Sequence, residues 1–164
     1  MNTADLIWLN GEFVAWEDAK VHVLTHALHY GTGVFEGIRA YETPNGTAIF
    51  RNQDHLERLE KSAKLYYMEL PYSQEQLREV THELIVRNGF KSCYIRPLVY
   101  RGYGTMGLFP LEAPVDVSIA TWAWGRPRRR LISNASAFSL VPTGYQQANV
   151  CPGWAPSRSG GSST

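Results

Sequence analysis

"GTGVFEGIRAYETPNGTAIFR", residues Gly31 to Arg51, decides which kind of fold this chain takes. Glycines at 31, 33 and 37 invite comparison with a phosphate-binding turn, but that turn needs a helix directly after the glycines. The residues after these glycines are strand-like instead. Val34 to Tyr41 would put Phe35 and Ile38 on opposite faces, and Pro44-Asn45-Gly46 is a turn leading into a second short strand. The Rossmann reading is therefore poor. Gly31 and Gly33 can simply permit a turn into a β-hairpin, while Arg39 in a strand-like run, with Tyr30 and Tyr41 nearby, leaves a functional wall open as the other reading.

The segments on either side extend this pattern. "LIWLNGEFVAW" is a strand, an Asn10-Gly11 turn of the type I′ kind and an alternating strand. After the second hairpin, Leu56, Leu59, Ala63 and Tyr66 form an inward stripe on a helix expected from Gln53 to Tyr67. Ser73 and Gln76 can close a capping box on a second helix, which buries Leu77, Val80 and Leu84 and stops at Gly89. "CYIRPLVYRG" and "VDVSIATWAW" read as strands, with Pro97 expected at an edge or a bulge because it has no N–H to donate. Two hairpins, two helices and further strands make an α+β domain.

Composition divides the chain. Residues 1–125 carry 11 Lys and Arg against 15 Asp and Glu, a net −4, while residues 126–164 carry five Arg and no other charge, a net +5. The acidic body argues against nucleic acid as a partner. No apolar run is long enough to span a bilayer, and the N-terminus lacks the layout of a secretory signal. The expectation is a cytoplasmic protein with Cys93 and Cys151 as reduced thiols. Residues 126–164 hold seven Ser and four Pro without helical or strand period, and read as a basic tail, disordered or out of frame.

Two arginines stand out as ligand contacts. Arg96 lies in an apolar strand, where its charge is costly unless it meets a carboxylate, a phosphate or an open cleft. Arg58 sits at the flank of the helix stripe, where a solvated side chain and an anion-binding fork are both open readings. Five scattered histidines suggest local hydrogen bonding, and no metal site is expected.

Taken together, "KVHVLTHALHYGTGVFEGIRAY", "RNQDHLERLEKSAKLYYMELP", "SCYIRPLVYRGYGTMG" and "DVSIATWAWG" resemble the N-terminal domain of branched-chain amino acid aminotransferases, the class IV (fold-type IV) pyridoxal-phosphate enzymes. The likeness covers roughly residues 5–125. It implies the small, mainly antiparallel domain of that fold, residues 1–125, and a homodimer or higher homo-oligomer acting on small molecules. The reaction implied is amino transfer between Leu, Ile or Val and 2-oxoglutarate. By the same resemblance Arg58 would hold the phosphate of pyridoxal 5′-phosphate. Phe35, Gly37, Arg39, Tyr94 and Arg96 would bind substrate, with Arg96 receiving the distal carboxylate of glutamate. Tyr30, Met106 and Leu108 would reach the neighbouring subunit's pocket.

One family feature is missing. The Schiff-base lysine of these enzymes lies after the domain boundary, and this chain has only Lys20, Lys61, Lys64 and Lys91. The expectation is a family member truncated before its catalytic lysine and inactive alone. The alternatives are a non-catalytic fragment that binds at most an anion or a partner subunit, and another class IV enzyme such as a D-amino acid aminotransferase or aminodeoxychorismate lyase.

Overall fold

The computed structural model describes residues 4–123, so the segment 126–164 and its expected boundary lie outside the described residues. Asn10 and Gly11 take positive φ of 47° and 99° and join β1 (Leu6–Leu9) to β2 (Glu12–Ala15) as the Asn-Gly signal required. A five-residue helix, α1 (His26–Tyr30), comes next and ends on Gly31 in the left-handed conformation at φ 68°. The chain then runs through β3 (Gly33–Phe35), β4 (Ile38–Thr43), β5 (Gly46–Ile49), α2 (Asn52–Leu65), α3 (Gln74–Arg87), β6 (Cys93–Arg101) and β7 (Val115–Trp122). The short α1 was not foreseen.

All seven strands join one sheet in the order β2-β1-β7-β6-β4-β5, with β3 also on β6 and every recorded pairing antiparallel. Both long helices supply the sheet's apolar cover. Leu56, Leu59 and Ala63 of α2, and Leu77, Leu84 and Ile85 of α3, are buried in one cluster with Val34, Ile38, Ile95, Val99, Val117 and Ile119 of the strands. Burying side chains of this size contributes about 1.5–3 kcal/mol each. The Ser73–Gln76 capping box forms in full.

The two helices end alike. At α3 the N–H of Gly89 bonds Val86 O and that of Phe90 bonds Ile85 O, with Gly89 at φ 66°. At α2 the N–H groups of Tyr67 and Met68 bond Lys64 O and Ala63 O, with Tyr67 itself at φ 53°. Both are Schellman motifs. The second corrects the expected helix: α2 stops at Leu65, and Tyr66 is 39% exposed instead of completing the inward stripe. Met68, 1% exposed, fills that core position after the turn.

Among the described residues, no helix is long and apolar enough to cross a membrane.

Asp116 of β7 accepts a hydrogen bond from Asn10 Nδ2 at 3.0 Å, yet burial pushes its carboxyl above the ordinary 3.8. Its acid form is therefore the one favoured by folding, and that contribution is lost as pH rises through the folded value. Asp116→Asn keeps an acceptor for Asn10 without the charge. Thermal unfolding should show a higher Tm than wild type at pH 7, with the gap closing below about pH 4. A Tm equal to or below wild type at pH 7 would refute this account.

Candidate functional site

Phe35 pairs with Leu98 and Ile38 with Ile95, so β3 and β4 lie on β6 in one unbroken register with Glu36 opposite Pro97. Glu36 N–H donates to Pro97 O at 3.0 Å. The return bond cannot form, because proline has no N–H. That single missing bond separates β3 from β4. Pro97 thus stands in a central strand, which corrects the edge expectation, at a place where its neighbour's pairing is interrupted.

Strand alternation distributes the side chains around this gap. Val34, Glu36, Ile38 and Ala40 are buried toward the helices, whereas Phe35, Gly37 and Arg39 are exposed on the open face. On β6, Tyr94 and Arg96 share that open face, and Arg39 is Tyr94's register partner.

Arg96 is held by aromatic rings. Its guanidinium carbon lies 4.3 Å from the ring centre of Phe35, 5.2 Å from Tyr94 and 5.7 Å from Trp122. Tyr94 and Trp122 pack against each other at 4.7 Å, and Arg96 Nη2 donates to Tyr94 Oη at 3.0 Å. Arg96 Nε is buried without a hydrogen-bond partner. Stacking keeps a cation in place while leaving donors on its rim for an anion. A Cβ at Gly37 would lie 2.2 Å from Tyr94 Oη, so any other residue there would have to displace the Tyr94 ring.

Arg58 comes from α2 and meets Glu36, on the opposite side of the sheet from Phe35 and Gly37. Its Nε donates to Glu36 Oε1 at 2.6 Å and its Nη2 to Oε2, a two-bond fork, while His55 Nδ1 lies 3.0 Å from Oε2. The Glu36 side chain is 5% exposed and that of Arg58 49%. Although burial works to raise the Glu36 pKa, its bonds to Arg58 and His55 outweigh that and hold the carboxyl below its usual value. The same fork raises Arg58. An arginine gripped on its Nε/Nη2 side keeps Nη1 for an anion arriving from solvent.

Tyr30, Met106 and Leu108 form a separate group. Tyr30 Oη donates to Met106 O at 3.1 Å, and Leu108 is 86% exposed. Buried His26 organises this corner. Its Nε2 lies 3.1 Å from Gly107 O, and since a carbonyl only accepts, Nε2 carries the proton; a neutral ring then accepts from Thr32 Oγ1 through Nδ1, at 2.9 Å. Arg101, 4% exposed, spans from β6 to the loop and to the end of α2 through Ala113 O at 2.8 Å and Tyr67 O at 2.6 Å.

None of the four lysines enters either arginine site. Lys20, Lys61, Lys64 and Lys91 have side chains 66–78% exposed and pair with Asp18, Glu57, Glu60 and Glu42. Cys93 is buried, and burial pushes its thiol up to about 11, so it is no nucleophile at neutral pH. Among the described residues, no group of three or more His, Cys, Asp or Glu could hold a metal ion.

Sequence reading missed Glu36, His55 and Trp122. A signal for the first was available: an acidic residue on the apolar face of a strand needs a cationic partner, and Arg58 borders the stripe that packs on that face.

Residues 33–147 match the model of the family described as Amino-transferase class IV. The branched-chain-amino-acid aminotransferase of Pseudomonas aeruginosa is 52% identical over 128 residues, which is 76% of this chain and 42% of that protein. The Escherichia coli K12 enzyme of the same name is 50% identical over 123 residues, 74% of this chain and 40% of its own length. Among solved structures, a T.th. branched-chain amino acid aminotransferase complexed with N-(5′-phosphopyridoxyl)-L-glutamate superposes with a TM-score of 0.73 at 53% identity, covering 76% of this chain and 42% of that one. The chain thus spans about two fifths of the length of these relatives.

Because Glu36 is held below its ordinary 4.5, its stabilising contribution is present above that pH and lost as pH falls through the folded value. Glu36→Gln should lower stability at pH 7 by about 1–3 kcal/mol and flatten the acid limb of the stability profile. Urea unfolding from pH 7 to 3 measures both. An unchanged acid limb would show that the fork with Arg58 is not a stabilising contact.

Proposed function

The chain belongs to the class IV aminotransferases, and from that premise we propose that residues 1–125 are the anion-recognising half of a branched-chain amino acid aminotransferase site. The observation that carries this reading is the pair of arginines flanking residues 35–37, Arg58 on the helical side and Arg96 on the open face. Arg58 is forked by Glu36 with Nη1 to spare, and Arg96 is stacked among rings with a buried, unpartnered Nε.

These residues fit pyridoxal 5′-phosphate, and one relative's structure is a phosphopyridoxyl-glutamate complex. Arg58 would hold the phosphate, with the orientation of its guanidinium set by Glu36. When bound, the pyridine ring supplies the electron sink that lets an amino group pass between two acids. Phe35 offers apolar surface suited to a branched aliphatic side chain. Arg96, with Tyr94 beside it, would take the second carboxylate of glutamate or 2-oxoglutarate, and Gly37 keeps the backbone close to Tyr94. Arg39 flanks the same face. Tyr30 at the end of α1, with Met106 and Leu108 on the loop after β6, all exposed, would enter the pocket of a second subunit.

The resemblance implies that a lysine amine moves the proton at the reacting carbon. The surface ion pairs of all four lysines support the reading that these 164 residues bind and do not turn over. Mixed with pyridoxal 5′-phosphate, the chain should bind it through Arg58. Arg58→Ala should weaken binding roughly tenfold to a hundredfold, the loss expected of charge-assisted hydrogen bonds. Leucine and 2-oxoglutarate should not be converted, and borohydride should leave no single lysine labelled in stoichiometric amount. Turnover, or one lysine fully labelled, would overturn the non-catalytic reading. Affinity unchanged in Arg58→Ala would overturn the phosphate assignment.

A further inference from the structure

The fork on Arg58 raises an electrostatic difficulty. A phosphate group arriving at Nη1 brings two negative charges toward a guanidinium whose own charge is already matched by Glu36. The arginine and the carboxylate together are neutral, so they offer orientation but little net attraction. A third group is present at the same carboxylate. His55 lies one turn before Arg58 on α2, with Nδ1 3.0 Å from Glu36 Oε2 and 3.5 Å from Arg58 Nη2.

Hydrogen-bond chemistry sets the state of that ring. An ionised carboxylate only accepts, so the proton in the His55–Glu36 contact sits on Nδ1. Nε2 is then the ring atom left to gain or lose a proton. With Nε2 bare the cluster of Glu36, Arg58 and His55 has no net charge. With Nε2 protonated it carries +1. Both ring states keep the Nδ1–H bond to Glu36, so the change of charge needs no rearrangement.

We propose that His55 and Glu36 complete the anion site at Arg58 as a proton-linked unit, in which binding of a phosphate-type dianion is coupled to protonation of His55 Nε2. The inference rests on Arg58 being the phosphate contact. Glu36 faces the ring from between β3 and β4, and Arg58 approaches it from the next turn of the same helix. Arg51 at the N-cap of α2 pairs with Asp54. The α3 side chain bonded to α2 is the neutral Gln74, through Gln53 and Glu60. With its side chain 19% exposed, His55 is partly shielded from screening by solvent.

Linkage makes the effect reciprocal: if protonation of His55 strengthens anion binding, the anion raises the pH at which His55 titrates by the same factor. Sulfate is the suitable probe, because it stays a dianion throughout the range where histidine titrates. The 164-residue chain, labelled with ¹⁵N, is titrated with sodium sulfate from pH 5.5 to 8.5 with chloride balancing ionic strength. The Arg58 Nε–H signal reports binding, and the imidazole signals of all five histidines report protonation.

Sulfate affinity at Arg58 should fall about tenfold across this range, and saturating sulfate should raise the His55 midpoint by about one pH unit, the same factor. His22, His26, His29 and His82 should keep their midpoints. His55→Gln, which can still donate to Glu36, should bind weakly with no pH dependence. Affinity that is flat with pH in wild type, or a His55 midpoint unmoved by sulfate that does bind Arg58, overturns the linkage alone. An Arg58 signal that never responds to sulfate removes the phosphate reading and the linkage with it. Should His55→Gln fail to fold, the wild-type midpoints decide the matter.

Discussion

The register of residues 33–40 on β6 is the constraint from which the rest of the site derives. Side chains alternate along a strand, so one residue of slip would carry Glu36 to the open face and bring Phe35 and Gly37 under the helices. In the observed register the buried acid meets Arg58 on the helical side while Phe35 meets Arg96 on the other. Pro97, opposite Glu36, interrupts the ladder just where the two functions divide. The core residues Val34, Ile38 and Ala40 hold this register, since moving them to solvent would forfeit their burial.

Much of this fold was legible beforehand because its signals are local. The Asn10-Gly11 hairpin, the Ser73–Gln76 capping box and the Gly89 stop each depend on a few adjacent residues with well-defined preferences. The end of α2 depended on something else. Its left-handed residue is Tyr67, where a glycine would have advertised the motif, and the turn persists because it delivers Met68 to the core. Tertiary packing overrode local preference there. The α1 helix was illegible for a similar reason: it is one turn long, and buried His26 anchors it through contacts with Thr32 and Gly107.

The site was half legible. Arg96 could be singled out because an arginine inside an apolar strand is costly, but its rings come from β3, β6 and β7, and a sequence does not say which strands will be neighbours. Trp122 went unnoticed for that reason. Glu36 was passed over between Phe35 and Gly37, although its strand parity places it among buried residues. The role of the aromatic and glycine positions came from family resemblance, and the geometry adds the physical reason: at Gly37 any side chain would collide with the Tyr94 hydroxyl.

The two arginines also show two ways of fixing a guanidinium in place. A carboxylate partner fixes direction strongly but cancels the charge that an anion would seek. Stacked rings fix direction less tightly and cancel nothing. Arg58 has the first arrangement and Arg96 the second. The choice matches what each must tolerate: the half-exposed Arg58 rises from a helix with water on one side and needs an anchor, while Arg96 is already confined by Phe35, Tyr94 and Trp122. If Arg58 holds a dianion as proposed, its neutralising anchor calls for a compensating charge, and the group placed to supply it is His55, bonded to the same Glu36 oxygen as Arg58 Nη2.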